Sequence, residues 1–220
     1  GIDTLSVEKV KVAKYKNRGI DVGSSNKNLT LSEVTVTTSN SATTAVYGLE
    51  LGGTTTGLIT DCSFNNNTAV GNFVAAGVNI TGCSDVTFRN CDANQSTTPS
   101  ATANSADYAA GFAMTGSISS GLKFVNCTAN NNSATTSISR AFGFHSVIGL
   151  SDSSFENCTA SSNSALLVAD TGGSTIACGG FVFEDVVVTN NRFVNCEASA
   201  NTSNTVNANS IVAGFALAFT

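Results

Sequence analysis

Apolar and polar residues alternate along this chain in short bursts and show no helical spacing. Leu29-Thr30-Leu31-Ser32-Glu33-Val34-Thr35-Val36 is one such burst, and its period of two is that of a half-buried strand. Between bursts stand Ser, Thr and Asn, which favour turns over helix interiors. The pattern predicts an all-β chain of many short strands.

The bursts repeat. FRNCDA, FVNCTA, FENCTA and FVNCEA carry Phe88, Phe124, Phe155 and Phe193, then Asn90, Asn126, Asn157 and Asn195, then Cys91, Cys127, Cys158 and Cys196. Ile59-Asp61-Cys62 and Leu31-Glu33-Val34 occupy the same positions in two weaker copies, and the last column reads Val36, Phe64, Ala93, Ala129, Ala160, Ala198. A second phrase sets a Gly before alternating apolar residues, at Gly19, Gly48, Gly77, Gly111, Gly143, Gly180 and Gly214. Successive glycines lie 29, 29, 34, 32, 37 and 34 residues apart. From each Gly to the next phrase the gap is 11 to 13, whereas from the Cys position to the next Gly it runs from 14 to 22. One half of each repeat is nearly constant and the other varies, as in a solenoid with one variable-loop face.

Phe and Cys three positions apart would face opposite sides of an ordinary strand. Both are apolar, so a residue between them must break the alternation. Asn, which tolerates the left-handed conformation, is the natural one. Each phrase then reads as a strand ending near Phe, a bend at Asn and a strand opening with inward Cys and Ala. Stacked coil on coil at about 4.8 Å, these columns become ladders, with the Asn amides expected inside the bend.

On these residues the sequence resembles the right-handed parallel β-helix superfamily, which includes pectin-lyase-like solenoids, autotransporter passengers and phage tailspikes. The resemblance spans Gly19 to Gly214. It implies a single β-solenoid domain over residues 1–220 with about six to seven coils, residues 1–18 forming a basic N-terminal edge and 19–220 six repeat registers.

Composition sharpens this. Ser, Thr and Asn make up 81 of 220 residues and charged residues only 11%, yet Leu, Ile, Val and Phe total 54 and the net charge is only −5. That is too apolar and too weakly charged for a disordered chain. A narrow coil needs few apolar residues per turn. No apolar run reaches the length of a membrane-spanning helix, and no basic footprint for nucleic acid covers the chain. The chain opens on Gly1 without Met and without a visible signal peptide, as a processed product or a fragment would.

Candidate chemistry is sparse. Cys62, Cys91, Cys127, Cys158 and Cys196 fall in one inward column. Thiols stacked in parallel strands point the same way, a poor geometry for disulfides, and no CxxC or Cys/His cluster suggests zinc. They read as small hydrophobes, with Cys83 and Cys178 outside the column. No metal or other cofactor is expected. The outward position two residues after each Gly reads Asp21, Glu50, Asn79, Ala113, His145, Val182, Ala216. Asp21 and Glu50 form a carboxylate pair without an evident basic partner, and His145 stands alone as a surface strand residue. The motifs of polygalacturonases and pectate lyases are absent, so no catalytic residue is assigned. Asn-x-Ser/Thr sequons occur at Asn28, Asn66, Asn79, Asn94, Asn126, Asn131, Asn157 and Asn201; Asn126 and Asn157 are expected inside the bend, and Asn94 and Asn201 on the surface.

The expected function is that of a non-enzymatic extracellular or cell-surface rod, a filament subunit or adhesin stalk. The alternative is a module binding a surface glycan or receptor through the loops at 95–108, 162–175 and 199–210, with a polysaccharide lyase or hydrolase behind it. Half of the basic residues, Lys9, Lys11, Lys14, Lys16 and Arg18, lie in the first 18 positions and suit a charge-protected edge or an acidic partner. The ends also match in phase. From Gly214 through Thr220 to Val7 of a following copy is 13 residues, within the internal range, which fits two readings: end-to-end self-association, or a fragment cut from a longer solenoid at a coil boundary.

Overall fold

The computed structural model describes residues 3–71, 73–99, 108–135, 140–166, 175–184, 188–204 and 210–218. Their strands wind through three sheets in a fixed order, and every strand pairing among the described residues is parallel. The first coil consists of Leu5–Glu8, Lys11–Ala13 and Arg18–Val22; the last contains Arg192–Val194, Thr202–Ser203 and Ser210–Ala218. The second and third sheets are each seven strands deep, which gives seven coils. The basic segment is therefore part of coil 1, hydrogen-bonded to coil 2 through Lys11↔Thr35 and Val12↔Val36.

Coils stack in register because like residues meet across the ladder. In the first sheet Phe88, Phe124, Phe155 and Phe193 are direct partners, their rings parallel with centroids 5.1, 4.8 and 4.8 Å apart. The third sheet answers with Phe112, Phe144, Phe181 and Phe215 at 4.9, 4.8 and 4.6 Å. The two ladders interlock edge to face, as at Phe124–Phe144, 5.5 Å and 77°, an arrangement suited to ring quadrupoles. Toward the N-terminus aliphatic residues take over the same columns, with Leu31 and Ile59 in one and Leu49 and Val78 in the other.

The corners carry the left-handed backbone that the Phe–Cys spacing requires. Asn90, Asn126, Asn157 and Asn195 have φ of 52°, 54°, 52° and 50°, and Lys9, Glu33 and Asp61 in the same column have 55°, 51° and 55°. Four residues after each Cys a second corner repeats the device at Asn66, Gln95, Asn131, Ser162 and Ala200, φ 51° to 60°.

The amide ladder of Asn90, Asn126, Asn157 and Asn195 lies outside the bend and not inside it as expected. The corner side chain projects to solvent between an inward Phe two residues before it and an inward Cys after it, and all four are exposed. The amides still link coil to coil. Asn195 Nδ2 donates to Asn157 Oδ1 at 3.3 Å, Asn157 to Asn126 at 3.2 Å, Asn126 to Asn90 at 3.1 Å and Asn90 to Asp61 at 2.9 Å. The internal ladder is a different one, five residues beyond Cys62, Cys127, Cys158 and Cys196, with Ser96 in that place after Cys91. Asn67, Asn132 and Asn163 are fully buried. Asn132 Nδ2 donates to Asn163 Oδ1 at 2.8 Å and Asn163 Nδ2 to Asn201 Oδ1 at 2.9 Å, while the same oxygens accept backbone N–H groups. Buried amides are tolerable only when satisfied in this way.

The glycine phrase has a packing cause. At Gly143 an added Cβ would lie 2.5 Å from Ala160 Cβ and 2.7 Å from the Gly180 carbonyl oxygen. Gly77, Gly111 and Gly180 face Ala93, Ala129 and Ala198 at 2.5 to 2.6 Å in the same way. The Ala column of one coil occupies the space vacated by the Gly column of the coil before it, so the two phrases recur together.

Candidate functional site

The cysteine column sits between the first and second sheets. Cys62, Cys91, Cys127 and Cys158 are buried, Cys196 is half-buried, and all seven cysteines are free. Cys91, Cys127, Cys158 and Cys196 Sγ each donate weakly to a carbonyl of the coil before, Ile59, Phe88, Phe124 and Phe155, at 3.4 to 3.5 Å. Burial pushes the Cys127 and Cys83 thiols up, and Cys178 up to about 12. These three are neutral thiols, the opposite of the exposed, electropositive setting that activates a nucleophile. Among the described residues no group of three or more His, Cys, Asp or Glu side chains is placed to hold a metal ion.

The outer face of the third sheet gathers the remaining polar chemistry. Asp21, Glu50, Asn79, Ala113, His145, Val182 and Ala216 are successive partners there. Contrary to the sequence reading, Asp21 and Glu50 do have a basic partner. Arg18 Nε bonds the Glu50 carboxylate and lies 3.6 Å from Asp21 Oδ2. Arg18 is on the same strand as Asp21, three residues before it, and bridges both acids from the edge of coil 1.

His145 departs further from expectation: it faces outward yet is fully buried. An apolar cluster of Tyr108, Ala110, Ala113, Phe142, Ile176 and Val182 covers this part of the sheet. The imidazole stacks on Phe142 at 4.0 Å and meets Tyr108 edge-on at 4.7 Å. Its Nε2 is 3.4 Å from Glu184 Oε2, which also accepts from Arg140 Nη1 at 2.7 Å. Its Nδ1 has no hydrogen-bond partner among the described residues.

The protonation states follow from this geometry. Burial pushes the His145 pKa down, and a second N–H at Nδ1 would meet no acceptor among the described residues, so the ring is neutral with its proton on Nε2. Burial works to raise the Glu184 carboxyl, but His145 and Arg140 outweigh it and hold it below its ordinary value. Arg140 already compensates Glu184, leaving His145 as a capping donor with no charge to balance. Tyr108, Arg140 and Glu184 belong to neither of the two repeated phrases. Tyr108 and Arg140 do share a signal, each standing three residues before its Gly (Gly111 and Gly143) and pairing across coils. Glu184 offers none.

The sequons also move. Asn126 and Asn157 are exposed, whereas Asn79 is 3% exposed and accepts from Thr115 Oγ1 at 2.8 Å. Asn201, expected on the surface, is half-buried and its amide donates to the Ala160 carbonyl at 3.1 Å. The loops considered for receptor or glycan contact lie in large part outside the described residues, at 100–107, 167–174 and 205–209. Among the described residues no helix is long and apolar enough to cross a membrane.

No curated protein and no solved structure matches the chain. The family model described as the right-handed beta helix region matches residues 1–177. That match covers most of the chain and coincides with the parallel three-sheet coils. The chain belongs to the right-handed β-helix family, as a single right-handed solenoid of seven coils.

Proposed function

We propose that the protein is a non-enzymatic structural rod of the cell surface or extracellular space, a stalk or filament segment that extends by stacking coil on coil. The observation that carries this reading is the unbroken stacking of like residues from coil to coil: Phe88, Phe124, Phe155 and Phe193 are direct partners in one sheet, and Phe112, Phe144, Phe181 and Phe215 in another. Columns that recur at every coil make a stiff unit in which each coil contacts its neighbours and stacking can propagate.

The polar groups fit a structural part. Asn amides tie coils together, Arg18 bridges the acids of coils 1 and 2, and His145 caps the Arg140–Glu184 ion pair beside an apolar patch. The test is the molar mass of the purified 220-residue chain by light scattering from dilute to concentrated solution. Mass rising with concentration, in steps of one 22.3 kDa chain, is the expected result; a constant single-chain mass would overturn the reading.

A further inference from the structure

Whether or not the rod assembles, its cysteine column repeats one side-chain geometry through five coils. Each Sγ donates weakly to the carbonyl two residues before it: Cys62 to Thr60 at 3.1 Å, Cys91 to Arg89 at 3.3 Å, Cys127 to Val125 at 3.5 Å, Cys158 to Glu156 at 3.4 Å and Cys196 to Val194 at 3.5 Å. Each also reaches a carbonyl of the coil before, at 3.4 to 3.7 Å. The register is fixed on both sides of the column. Three residues earlier Phe88, Phe124, Phe155 and Phe193 are direct partners, and one residue later Ser63, Asp92, Thr128, Thr159 and Glu197 are too. A shared conformation in a fixed register puts successive sulfurs one coil rise apart, about 4.8 Å.

That spacing decides what two neighbouring thiols can do together. A disulfide needs its sulfurs about 2.05 Å apart, and the stacked Phe rings beside the column, 4.8 Å from centroid to centroid, hold the coils far beyond it. A structural zinc site needs four ligands, and no group of three or more is placed for one among the described residues. A linear two-coordinate ion fits. Midway between two sulfurs it would lie about 2.4 Å from each, half the coil rise, close to a zinc–thiolate bond of about 2.3 Å. Thiolates select soft ions such as copper(I), and d10 ions of single charge take two ligands in line. Charge balances as well. Each ion displaces one thiol proton to solvent and forms a metal–sulfur bond in place of S–H, while the next sulfur along gives its lone pair as second ligand. The buried column therefore gains no net charge, which an apolar core would penalise.

We propose that the column from Cys62 to Cys196 binds soft monovalent d10 ions, copper(I) first among them, each held in line between the sulfurs of adjacent coils. Five stacked free thiols leave four such gaps. The other two cysteines are buried but supply none: Cys178 stacks between Ala141 and Val212, and Cys83 Sγ contacts the Leu51 and Thr81 carbonyls.

The probe is silver(I), which has the same coordination preference and needs no reductant to keep its oxidation state. It is added to the reduced, folded 220-residue chain in chloride-free buffer, and to a second sample during refolding from urea, so that slow entry into a buried column is not read as a missing site. Native mass spectrometry counts the bound ions, and far-ultraviolet circular dichroism shows that each chain is folded. The expected count is four in the wild type and four in Cys83→Ala. In Cys127→Ala, which removes the gap on either side of the central thiol, it falls to two. Cys127→Val, the residue that Val34 places in the same column, should give the same two and stands in if the alanine chain does not fold. Thiols acting independently would instead bind seven ions, one for each cysteine, and lose one in any of these variants; that result, or no bound ion in either sample, overturns the proposal. Loading should also raise the urea midpoint, because the ions hold the stacked coils. A midpoint that falls would place them on unfolded thiols and overturn it as well.

Discussion

Replacing Gly143 with alanine tests the interlock between the two repeat phrases. The backbone there is ordinary strand, so the cost comes from space and not from φ. The new Cβ would lie 2.5 Å from Ala160 Cβ, 2.7 Å from the Gly180 oxygen and 3.0 Å from the Ala129 oxygen. Carbon pairs settle at about 3.5–4.0 Å, so the overlap with Ala160 reaches about 1 Å. Two of the three obstacles are backbone atoms of neighbouring coils, whose positions the ladder hydrogen bonds hold. Overpacking in a close-packed core costs about 1–3 kcal/mol and sometimes more; with backbone obstacles on two sides we expect about 3 kcal/mol. With a urea slope of about 2 kcal/mol/M, the midpoint falls by about 1.5 M. Gly52→Ala is the control: its Cβ would meet nothing nearer than the Ser24 nitrogen at 3.6 Å, so its change should stay within about 0.5 kcal/mol. Adding Ala160→Gly to Gly143→Ala should recover part of the loss, because it removes the nearest carbon. A Gly143→Ala chain as stable as wild type would refute the interlock.

Three further outcomes follow from the same geometry. Phe144 has aromatic neighbours in Phe112, Phe124, Phe155 and Phe181, so Phe144→Leu should cost about 2–3 kcal/mol in chemical denaturation and Phe215→Leu, half exposed, less than about 1 kcal/mol; equal losses would contradict the ladder. His145 is the chain's single histidine, and its folded pKa lies below the ordinary 6.5. The unfolded chain therefore takes up the proton first, and stability is complete above pH 6.5 and declines as pH falls below it. A second decline begins below 4.5, where the unfolded chain protonates Glu184 before the folded one does. The urea midpoint should drop from about pH 7.5 to about 5.5 in the wild type and stay flat in His145→Gln; a wild-type midpoint that rises on acidification would contradict the neutral, enclosed ring. With a thiol-reactive dye the folded chain should react at Cys196 alone, half-buried in coil 7, and the denatured chain at all seven cysteines; fast labelling of Cys127 in the folded chain would contradict a sealed column.

Much of this architecture was readable in the sequence, because identical residues return at each coil and each column has one job. The Phe–x–Asn–Cys spacing demanded a corner, and the corner lies at Asn with φ of 50° to 54°. Which side of the corner the amide takes was not readable from spacing. It depends on the left-handed turn, which lets Phe155 and Cys158 both face inward while Asn157 and its column, next to the exposed Glu156, face solvent. The internal ladder was written just as plainly, since Cys62, Cys127, Cys158 and Cys196 are each followed five residues later by Asn67, Asn132, Asn163 and Asn201. The run of Asn, Ser and Thr around it reads as loop and hides the spacing. The pairing of Glu184 with Arg140 and His145 was out of reach. These residues are up to 44 positions apart, and nothing repeats across coils to align them. Arg18 illustrates a milder case: it falls before the Gly phrase, inside a basic run, and only the paired strands show it facing Asp21 and Glu50.

The axial repeat of the assembled protein tests the stacking claim most directly. Seven coils at a strand spacing of about 4.8 Å give a subunit rise of about 34 Å. Electron cryomicroscopy of concentrated protein should show filaments one solenoid wide, with that rise and a continuous reflection near about 4.8 Å that passes unbroken through each junction. Single rods about 34 Å long at every concentration, or filaments whose coil spacing breaks at the junctions, would contradict it.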